Sequence, residues 1–340
     1  MRAIVFAEPG TFSLVEVPDP VPGPREVLVR VEAVGICGTD IHVLDGEFEP
    51  TRFPIIPGHE TSGIVEAIGD QVHEFVPGDR VSVDPTLTCR ECSYCSVGRF
   101  NLCEQWNGSG VARTNGSTAE LMVSPVRNVH RLPDGVDLAL AALIEPLSCA
   151  IHGYDLLPRR MGEHYLIYGA GTMGLMMAQL APRAGAAGVS VVDRNPARLE
   201  VARDVGIAQV ALSADEFTHA GGWDVVIDCT GAVPAIEDGL SRVRRGGTFQ
   251  QFGVAATEAT ARFSPFRVYN NETTIVGSMA ELASYARAVE MFAAGALNAA
   301  RMVSHAYALE DYGKALEAFR AGSGRKLQIR PQANESIQLI

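Results

Sequence analysis

Cysteine, histidine and carboxylate side chains occur in this sequence at positions that could together bind a transition metal. Cys37 lies in GICGTDIH, His59 and Glu60 lie in IPGHETSG, and Glu145 lies in the apolar run LIEPLSC. A thiolate, an imidazole and a carboxylate can hold Zn²⁺ and leave one position open for water or a substrate. Taken alone, Cys37 could be a core thiol and His59 an ordinary histidine. Glu145 needs more explanation, because a carboxylate among apolar residues must be paired or must bind a cation.

A second group of candidate ligands is confined to CRECSYCSVGRFNLC, which contains Cys89, Cys92, Cys95 and Cys103. Four thiolates this close can surround one tetrahedral Zn²⁺ and leave no position for substrate, so the predicted site is structural. Disulfides are disfavoured, because the first residues do not resemble a signal peptide and we therefore expect a reducing, cytoplasmic location. An iron–sulfur cluster is the other alternative, because C-x2-C-x2-C resembles ferredoxin spacing.

The segment GAGTMG follows an apolar strand-like run and precedes a run of helix formers. Gly169, Gly171 and Gly174 match G-x-G-x-x-G, in which the glycines allow a tight turn, a close approach of pyrophosphate and close helix–strand packing. Asp193 ends the next strand-like run, GVSVVD, where a carboxylate can bind both hydroxyls of an adenine ribose. This predicts NAD rather than NADP, although Arg194 could help to hold a 2′-phosphate.

The composition excludes some classes of partner. The chain has 340 residues, 47% of them hydrophobic, and a net charge of −12. An acidic surface repels phosphate backbones and anionic lipids, so we expect no nucleic acid and no membrane partner. Residues 165–182 carry no charge and raise the question of a membrane span. The GAGTMG turn interrupts them, which favours a strand, a turn and a buried helix.

Two different patterns of predicted secondary structure indicate two domains. Residues 1 to about 150 contain many short β-type runs separated by turns, which predicts a β barrel or a partly open sandwich. Strands then alternate with helices, which predicts a doubly wound parallel sheet. From about residue 297 the pattern is strand, helix, strand, and we expect this tail to rejoin the first domain. The predicted α/β fold therefore has a catalytic domain over 1–152 and 297–340, a zinc lobe at about 85–105 and an NAD-binding Rossmann domain over 153–296.

Together these segments resemble the zinc-dependent medium-chain alcohol dehydrogenases over nearly the whole chain. The resemblance is carried by GICGTDIH, GHE, the four-cysteine lobe, EPLSCAIHG, GAGTMG and VVD. GHE with EPL is most similar to the polyol branch, which includes sorbitol, arabinitol and butanediol dehydrogenases. The resemblance implies a GroES-like first domain, two zinc ions per chain and reversible oxidation of a secondary alcohol, most simply a polyol, with hydride transfer to NAD. TTIVGS resembles the edge strand through which the family pairs subunits, which implies a homodimer or homotetramer.

The resemblance also implies a role for each candidate ligand. Cys37, His59 and Glu60 would bind the catalytic zinc, with Glu60 bound directly or through water. Glu145 would be a direct ligand or would hold the zinc-bound water. Asp40 would accept a hydrogen bond from His59 and fix its tautomer.

Proton transfer and cofactor binding are implied in the same way. Thr39 and His42 would carry the substrate proton to solvent. The predicted cofactor contacts are Gly169, Gly171, Thr172, Met173, Gly174, Asp193, Arg194, Arg198, Cys229, Thr230, Phe252, Gly253, Val254, Gly277, Ser278 and Met279. Phe48, Trp106 and Phe266 could shape the substrate pocket, or could simply pack.

Three rival functions follow from the same residues. Threonine dehydrogenase shares much of the ligand set, but its tryptophan-rich loop is missing from residues 43–50, which read VLDGEFEP. A dehydrogenase of a cyclic polyol or aminocyclitol in secondary metabolism would use the same ligands. A protein that kept the fold but lost catalysis would be expected to lose these ligands, and all of them are present.

Overall fold

The computed structural model describes residues 1–219 and 221–340, which form two compact units. Unit 1 consists of Met1–Ser148, Leu282–Gly295 and Met302–Ile340, and unit 2 of Cys149–Glu281 and Ala296–Arg301. The sequence predicts residues 282–295 as part of the nucleotide-binding domain, whereas they group here with unit 1. Tyr285 supplies a physical reason, because its buried hydroxyl lies 2.7 Å from Oγ of Ser82 and donates to the carbonyl oxygen of Val83 at 2.8 Å.

The strands of both units, in chain order, are β1 (Arg2–Glu8), β2 (Thr11–Glu16), β3 (Glu26–Gly35), β4 (Glu60–Ile68), β5 (Arg80–Val83), β6 (Thr86–Leu87), β7 (Asn107–Gly108), β8 (Leu121–Pro125), β9 (Val129–Arg131), β10 (Glu163–Tyr168), β11 (Ala186–Val192), β12 (Gln209–Ala211), β13 (Trp223–Asp228), β14 (Val243–Gln251), β15 (Thr274–Gly277), β16 (Val303–Tyr307), β17 (Lys326–Ile329) and β18 (Ile337–Gln338). The α-helices are α1 (Gly38–Leu44), α2 (Ser93–Ser96), α3 (Ile144–Asp155), α4 (Thr172–Leu180), α5 (Pro196–Asp204), α6 (Val233–Arg242), α7 (Pro265–Asn271), α8 (Tyr285–Ala293), α9 (Ala299–Met302) and α10 (Tyr312–Arg320).

Unit 1 is built around a mixed sheet with the strand order β18-β16-β17-β3-β4-β5-β9, and β8 also pairs with β3. Alternate residues of β3, including Val27, Val29 and Val31, are fully buried in the core, as expected for a strand with one face turned inward. Tyr312 of α10 packs on Phe6 of β1 in the same core. The C-terminal tail forms the predicted strand, helix and strand, and β17 pairs with β3 in the centre of this sheet.

Unit 2 contains the predicted doubly wound sheet. Its strands have the order β12-β11-β10-β13-β14-β15, and all of the pairings are parallel. Residues 165–167 of β10 are fully buried on both faces, which explains why the strand reads as a continuous apolar run. Across the described ranges, no helix combines the length and the apolar character that a membrane crossing requires.

Candidate active site

Antiparallel pairing of β3 and β4 brings the first predicted metal group together. Gly35, the last residue of β3, lies opposite Glu60, the first residue of β4. Cys37 and His59 lie just beyond these paired ends, and one potential ligand atom from each of Cys37, His59 and Glu60 lies within 4.8 Å of the other two. His59 is 7% exposed and Glu60 is 1% exposed. The thiol, imidazole and carboxylate therefore converge at a buried point, and they are the donor types that zinc takes in proteins.

Helix α1 supplies the carboxylate that faces His59. Oδ2 of Asp40 accepts a hydrogen bond from the backbone N–H of Cys37 at 2.8 Å, and Oδ1 lies 3.4 Å from Nδ1 of His59. Burial alone would lower the pKa of His59, but the nearby carboxylate of Asp40 and, to a smaller extent, Cys37 raise that pKa well above its usual value. Surroundings that favour a positive charge on this ring also favour a divalent cation bound to it.

Lys326 of β17 is a member of this site that the sequence-based assignment missed. Its Nζ lies 2.6 Å from Oε1 and 2.5 Å from Oε2 of Glu60, and both side chains are buried. Burial alone would lower the pKa of Lys326, but the charge of Glu60 and the surrounding anionic groups raise it. A lysine in the strand KLQI was a usable signal, because a buried lysine needs an acidic partner.

Gly35 provides the space that this ion pair occupies. A β carbon at residue 35 would collide with the carboxylate of Glu60 and would lie 2.8 Å from Cε of Lys326. No other residue type therefore fits at the end of β3 without displacing Glu60.

Of the other predicted catalytic residues, Thr39 and His42 lie on α1 and Glu145 lies on α3. Oγ1 of Thr39 lies 3.7 Å from Sγ of Cys37. Nδ1 of His42 lies 2.7 Å from Oε2 of Glu47. Glu145, in the first turn of α3, is 9% exposed and is not a member of the Cys37–His59–Glu60 group within the part of the chain that the structure describes. Its contact with a metal stays a prediction.

Two of the three predicted pocket aromatics pack on each other. The rings of Phe48 and Trp106 meet edge to face with their centroids 6.3 Å apart. Nε1 of Trp106 is buried and has no hydrogen-bond partner among residues 1–219 and 221–340. Phe266 lies on α7 of unit 2, and 68% of its surface is exposed. Their roles in a substrate pocket stay predictions.

The four predicted structural ligands form a compact thiol cluster, in which one Sγ atom of each residue lies within 4.8 Å of the other three. Sγ of Cys103 lies 3.4 Å from that of Cys89 and 4.0 Å from that of Cys92. Tetrahedral zinc with Zn–S bonds of about 2.3 Å separates its sulfur ligands by about 3.8 Å, so the cluster fits this ion. Backbone hydrogen bonds lower the pKa of the Cys92 thiol to about 6, whereas burial raises the pKa of Cys95 to about 12.

The glycine loop of unit 2 has the backbone geometry of a dinucleotide-binding turn. Gly169 has a φ of +98° and donates its N–H to the carbonyl oxygen of Val192 at 2.7 Å. A β carbon on Gly174 would collide with the carbonyl oxygen of Gly169, so helix and strand pack closely. Gly171 has open space where a side chain would project, directly before Thr172 and Met173 in the first turn of α4. The loop leaves the N-terminus of α4 accessible to a phosphate.

The carboxylate of Asp193 is fixed beside this loop. Oδ2 accepts a hydrogen bond from the N–H of Ala170 and Oδ1 accepts one from the N–H of Asn195, both at 2.8 Å. Nη1 of Arg198 lies 3.8 Å from Oδ2, and Arg194 is exposed. Both predicted arginines therefore lie on the segment that positions Asp193.

Asp228, at the end of β13, is a second residue that sequence reasoning missed. It is fully buried and accepts hydrogen bonds from the N–H and Oγ1 of Thr230, the N–H of Gly231 and Nε2 of Gln251, at 2.5–3.1 Å. Nε2 of Gln251 also donates to the carbonyl oxygen of Gly253 at 2.6 Å. An acid at the end of the buried run DVVID was the available signal. Asp228 connects the loops that follow β13 and β14.

The remaining predicted cofactor contacts lie at the carboxyl ends of neighbouring strands. Burial raises the pKa of the Cys229 thiol, which supports a packing role for its side chain. Phe252 donates its N–H to the carbonyl oxygen of Asp228 at 3.0 Å, and Val254 is exposed. Gly277 ends β15, and Ser278 and Met279 follow it. These positions match the edge at which doubly wound sheets bind nucleotides.

Two family models match the chain. A model described as an alcohol dehydrogenase GroES-like domain matches residues 23–134, and a model described as a zinc-binding dehydrogenase matches residues 172–294. The first match lies within unit 1, and the second covers residues 172–281 of unit 2 and residues 282–294 of unit 1.

Curated relatives match the chain over nearly its whole length. D-arabinitol dehydrogenase 1 of Uromyces fabae is 34% identical, with 97% of each chain covered. Sorbitol dehydrogenase of Halalkalibacterium halodurans is 33% identical, with 97% of this chain and 99% of the relative covered. L-threonine 3-dehydrogenase of Streptomyces avermitilis is 35% identical over 96% of this chain and 98% of the relative. A crystal structure described as a zinc-binding dehydrogenase of Sinorhizobium meliloti bound to NADP has a TM-score of 0.92 and 33% identity, with 97% of this chain and 99% of that chain covered.

Proposed function

We propose that this chain, which belongs to the family of zinc-binding alcohol dehydrogenases, oxidises a secondary hydroxyl group of a polyol to a ketone and transfers the hydride to NAD. The main support is the position of Cys37, His59 and Glu60, whose potential ligand atoms lie within 4.8 Å of one another. The arabinitol and sorbitol dehydrogenases at 33–34% identity support the choice of a polyol.

We assign a catalytic zinc to Cys37, His59 and Glu60, with Glu145 as a fourth ligand or as the holder of a bound water. Zinc bound there would act as a Lewis acid that lowers the pKa of the substrate hydroxyl. Asp40 orients the ring of His59 through Nδ1. Lys326 holds Glu60 at the end of β4 and balances part of the negative charge that the ligands bring together. We assign a second, structural zinc to Cys89, Cys92, Cys95 and Cys103, which leave no open position.

The proton of the substrate hydroxyl leaves through side chains of α1. We assign its first transfer to the hydroxyl of Thr39, close to Cys37. His42, on the same helix, would receive the proton next, by way of a ribose hydroxyl of a bound cofactor, and would release it to solvent. An imidazole suits this step because it can accept and release a proton near neutral pH.

Unit 2 would bind NAD, with the pyrophosphate at the N-terminus of α4 and the adenine ribose at Asp193. The carboxylate of Asp193 would repel a 2′-phosphate, which is the basis for preferring NAD. Arg194 and Arg198 oppose this preference, because either guanidinium could bind that phosphate. The NADP-bound structure at 33% identity is a reason to measure both cofactors.

We propose that unit 1 is the catalytic domain and that two copies of the chain pair through β15 as a homodimer or as half of a homotetramer. β15 is the last strand of its sheet, and Ile275 on this strand is 44% exposed. Tyr269, on the preceding helix α7, is 82% exposed. An open strand edge with exposed apolar side chains is a surface that a second copy can cover.

The direct test measures initial rates of NAD⁺ and NADP⁺ reduction by the purified protein with acyclic polyols, cyclic polyols, simple secondary alcohols and L-threonine. Zinc per chain is measured on the same sample. We expect two zinc ions and turnover of a polyol with NAD⁺. Turnover only with NADP⁺ would show that the arginines outweigh Asp193. A chain that holds only the cysteine-bound zinc would contradict the catalytic site.

Threonine oxidation is the second candidate function, because an L-threonine 3-dehydrogenase is 35% identical over 96% of this chain. The loop over residues 43–50 lacks the tryptophans expected of that activity. Higher kcat/KM for L-threonine than for every polyol would therefore overturn the choice of substrate while leaving the zinc site intact.

A further inference from the structure

The turn that follows α1 places a carboxylate beside His42. Nδ1 of His42 lies 2.7 Å from Oε2 of Glu47. The two side chains are 43% and 63% exposed, so solvent reaches this pair.

The backbone explains why Glu47 reaches His42. Gly46 has a φ of +76° and donates its N–H to the carbonyl oxygen of Val43, and Glu47 donates its N–H to the carbonyl oxygen of His42 at 2.8 Å. These two bonds are those of a Schellman motif, in which the second residue beyond a helix returns to the residue three positions before its end. The motif brings the side chains of these two positions together, so main-chain hydrogen bonds hold Glu47 beside His42.

Other charged side chains of α1 and of the segments around this turn are Asp40, Asp45, Glu8, Glu49, Arg52 and Arg320. Asp40 faces His59. Asp45 pairs with Arg320 of α10, and Arg52 donates to backbone carbonyl oxygens at Glu49 and Thr51. The charged side chain that the structure places within hydrogen-bonding distance of the His42 ring is that of Glu47.

We propose that Glu47 is a positioning residue for proton transfer, which rests on the proposed function because His42 is the last protein group of that relay. Glu47 accepts a hydrogen bond from Nδ1–H of His42, so Nε2 has a free lone pair. The incoming proton would be taken up at Nε2 and released from Nε2 to water, while the Nδ1–H bond stays intact. The carboxylate stabilises the imidazolium formed between these steps, as a carboxylate does in other His–carboxylate pairs.

The first test is Glu47→Ala, with Glu49→Ala as the matched control on the same exposed turn. Loss of the orienting carboxylate should lower kcat for the polyol about tenfold, a part of what an acid–base group contributes. KM for polyol and for NAD⁺ should change by less than about twofold, because Glu47 contacts neither in this scheme. Glu47→Gln should recover part of kcat, since the amide oxygen can still accept from Nδ1–H.

A double-mutant cycle separates positioning from a general structural effect. In a His42→Gln background, Glu47→Ala should cause no further loss of kcat, because the residue through which Glu47 acts is gone. An equal loss in both backgrounds, or equal kcat values for Glu47→Ala and Glu49→Ala, would overturn the inference.

Nitrogen-15 spectra of histidine-labelled, zinc-loaded protein give a readout that does not depend on turnover. The signal absent from His42→Gln identifies His42. It should show the Nδ1–H tautomer in the wild type and a mixture of tautomers in Glu47→Ala; an unchanged tautomer would contradict the inference. A wild type that oxidises no alcohol would contradict the proposed function instead, and the spectra would still decide whether Glu47 fixes the His42 tautomer.

Discussion

The two candidate metal sites of unit 1 are built in different ways. Residues 89–103 supply all four cysteines, so one short segment makes a complete set of ligands. Cys37, His59 and Glu60 come from the ends of two strands, and Lys326 reaches Glu60 from β17. Cys89 and Cys92 are partly exposed, whereas Glu60 and Lys326 are both almost completely buried. The first site depends on local spacing, and the second depends on the sheet.

This difference has a chemical consequence. Four thiolates saturate zinc and stabilise a loop, whereas three mixed ligands leave room for a substrate oxygen. The sheet-built site can be held open because β3, β4 and β17 fix its ligands. Substitutions at the two sites should therefore affect turnover, metal content and stability in different proportions.

Cys37→Ala should have the largest effect. It should remove one of two zinc ions and lower kcat/KM at least about 1,000-fold, because the Lewis acid that polarises the substrate is lost. Metal analysis and steady-state kinetics on the same sample measure both quantities, with Cys149→Ala as the control. Full activity with two zinc ions in Cys37→Ala would remove the distinction between the sites.

Lys326→Met should destabilise unit 1 by about 3–5 kcal/mol, because it leaves the carboxylate of Glu60 buried without its partner. Lys314→Met is a matched control, since Lys314 is 73% exposed and pairs with Asp311 near the surface. The loss of stability in Lys314→Met should be much smaller, because solvent screens an exposed ion pair. Urea unfolding of the two variants gives the free energies, and equal losses would show that the sheet-built site is not coupled to the core.

Gly35→Ala should cost about 1–3 kcal/mol through overpacking against Glu60 and Lys326. Gly98 in the cysteine lobe has a φ of +79° and open space around it, so Gly98→Ala should cost about 1 kcal/mol of backbone strain alone. Gly35→Ala should also lower kcat, because it displaces a proposed ligand. Unfolding and kinetic measurements on both variants test this, and unchanged kcat in Gly35→Ala would argue against Glu60 as a ligand.

Cys103→Ser should have the smallest effect on turnover. It should remove the structural zinc and increase hydrogen exchange across residues 86–108, while kcat at 25 °C stays within about threefold, since a saturated site takes no part in the chemistry. Metal content, exchange and kcat are measured together. A loss of turnover as large as that of Cys37→Ala would show that the lobe shapes the active site directly.

Local patterns were sufficient to predict much of this molecule. GAGTMG between a strand and a helix, and the alternation that follows it, predicted the parallel sheet because each feature is encoded by neighbouring residues. The cysteine spacing predicted a compact cluster for the same reason. Local patterns did not predict that residues 282–295 group with unit 1, because the hydrogen bonds of Tyr285 join positions about 200 residues apart.

The sequence by itself determined the kinds of metal ligand, the change from short β strands to alternating strands and helices, and the glycine loop. Composition and short residue spacings are enough to predict each of these features. Only the tertiary structure decided that Lys326 pairs with Glu60, that Asp228 connects the loops after β13 and β14, and that Gly35 must lack a side chain. Strand register sets which side chains meet across a sheet, and register is fixed by the packing of the whole core. Glu47 combines both kinds of information. A local helix end places its carboxylate beside His42, and its proposed function depends on the proton transfer that we assign to His42.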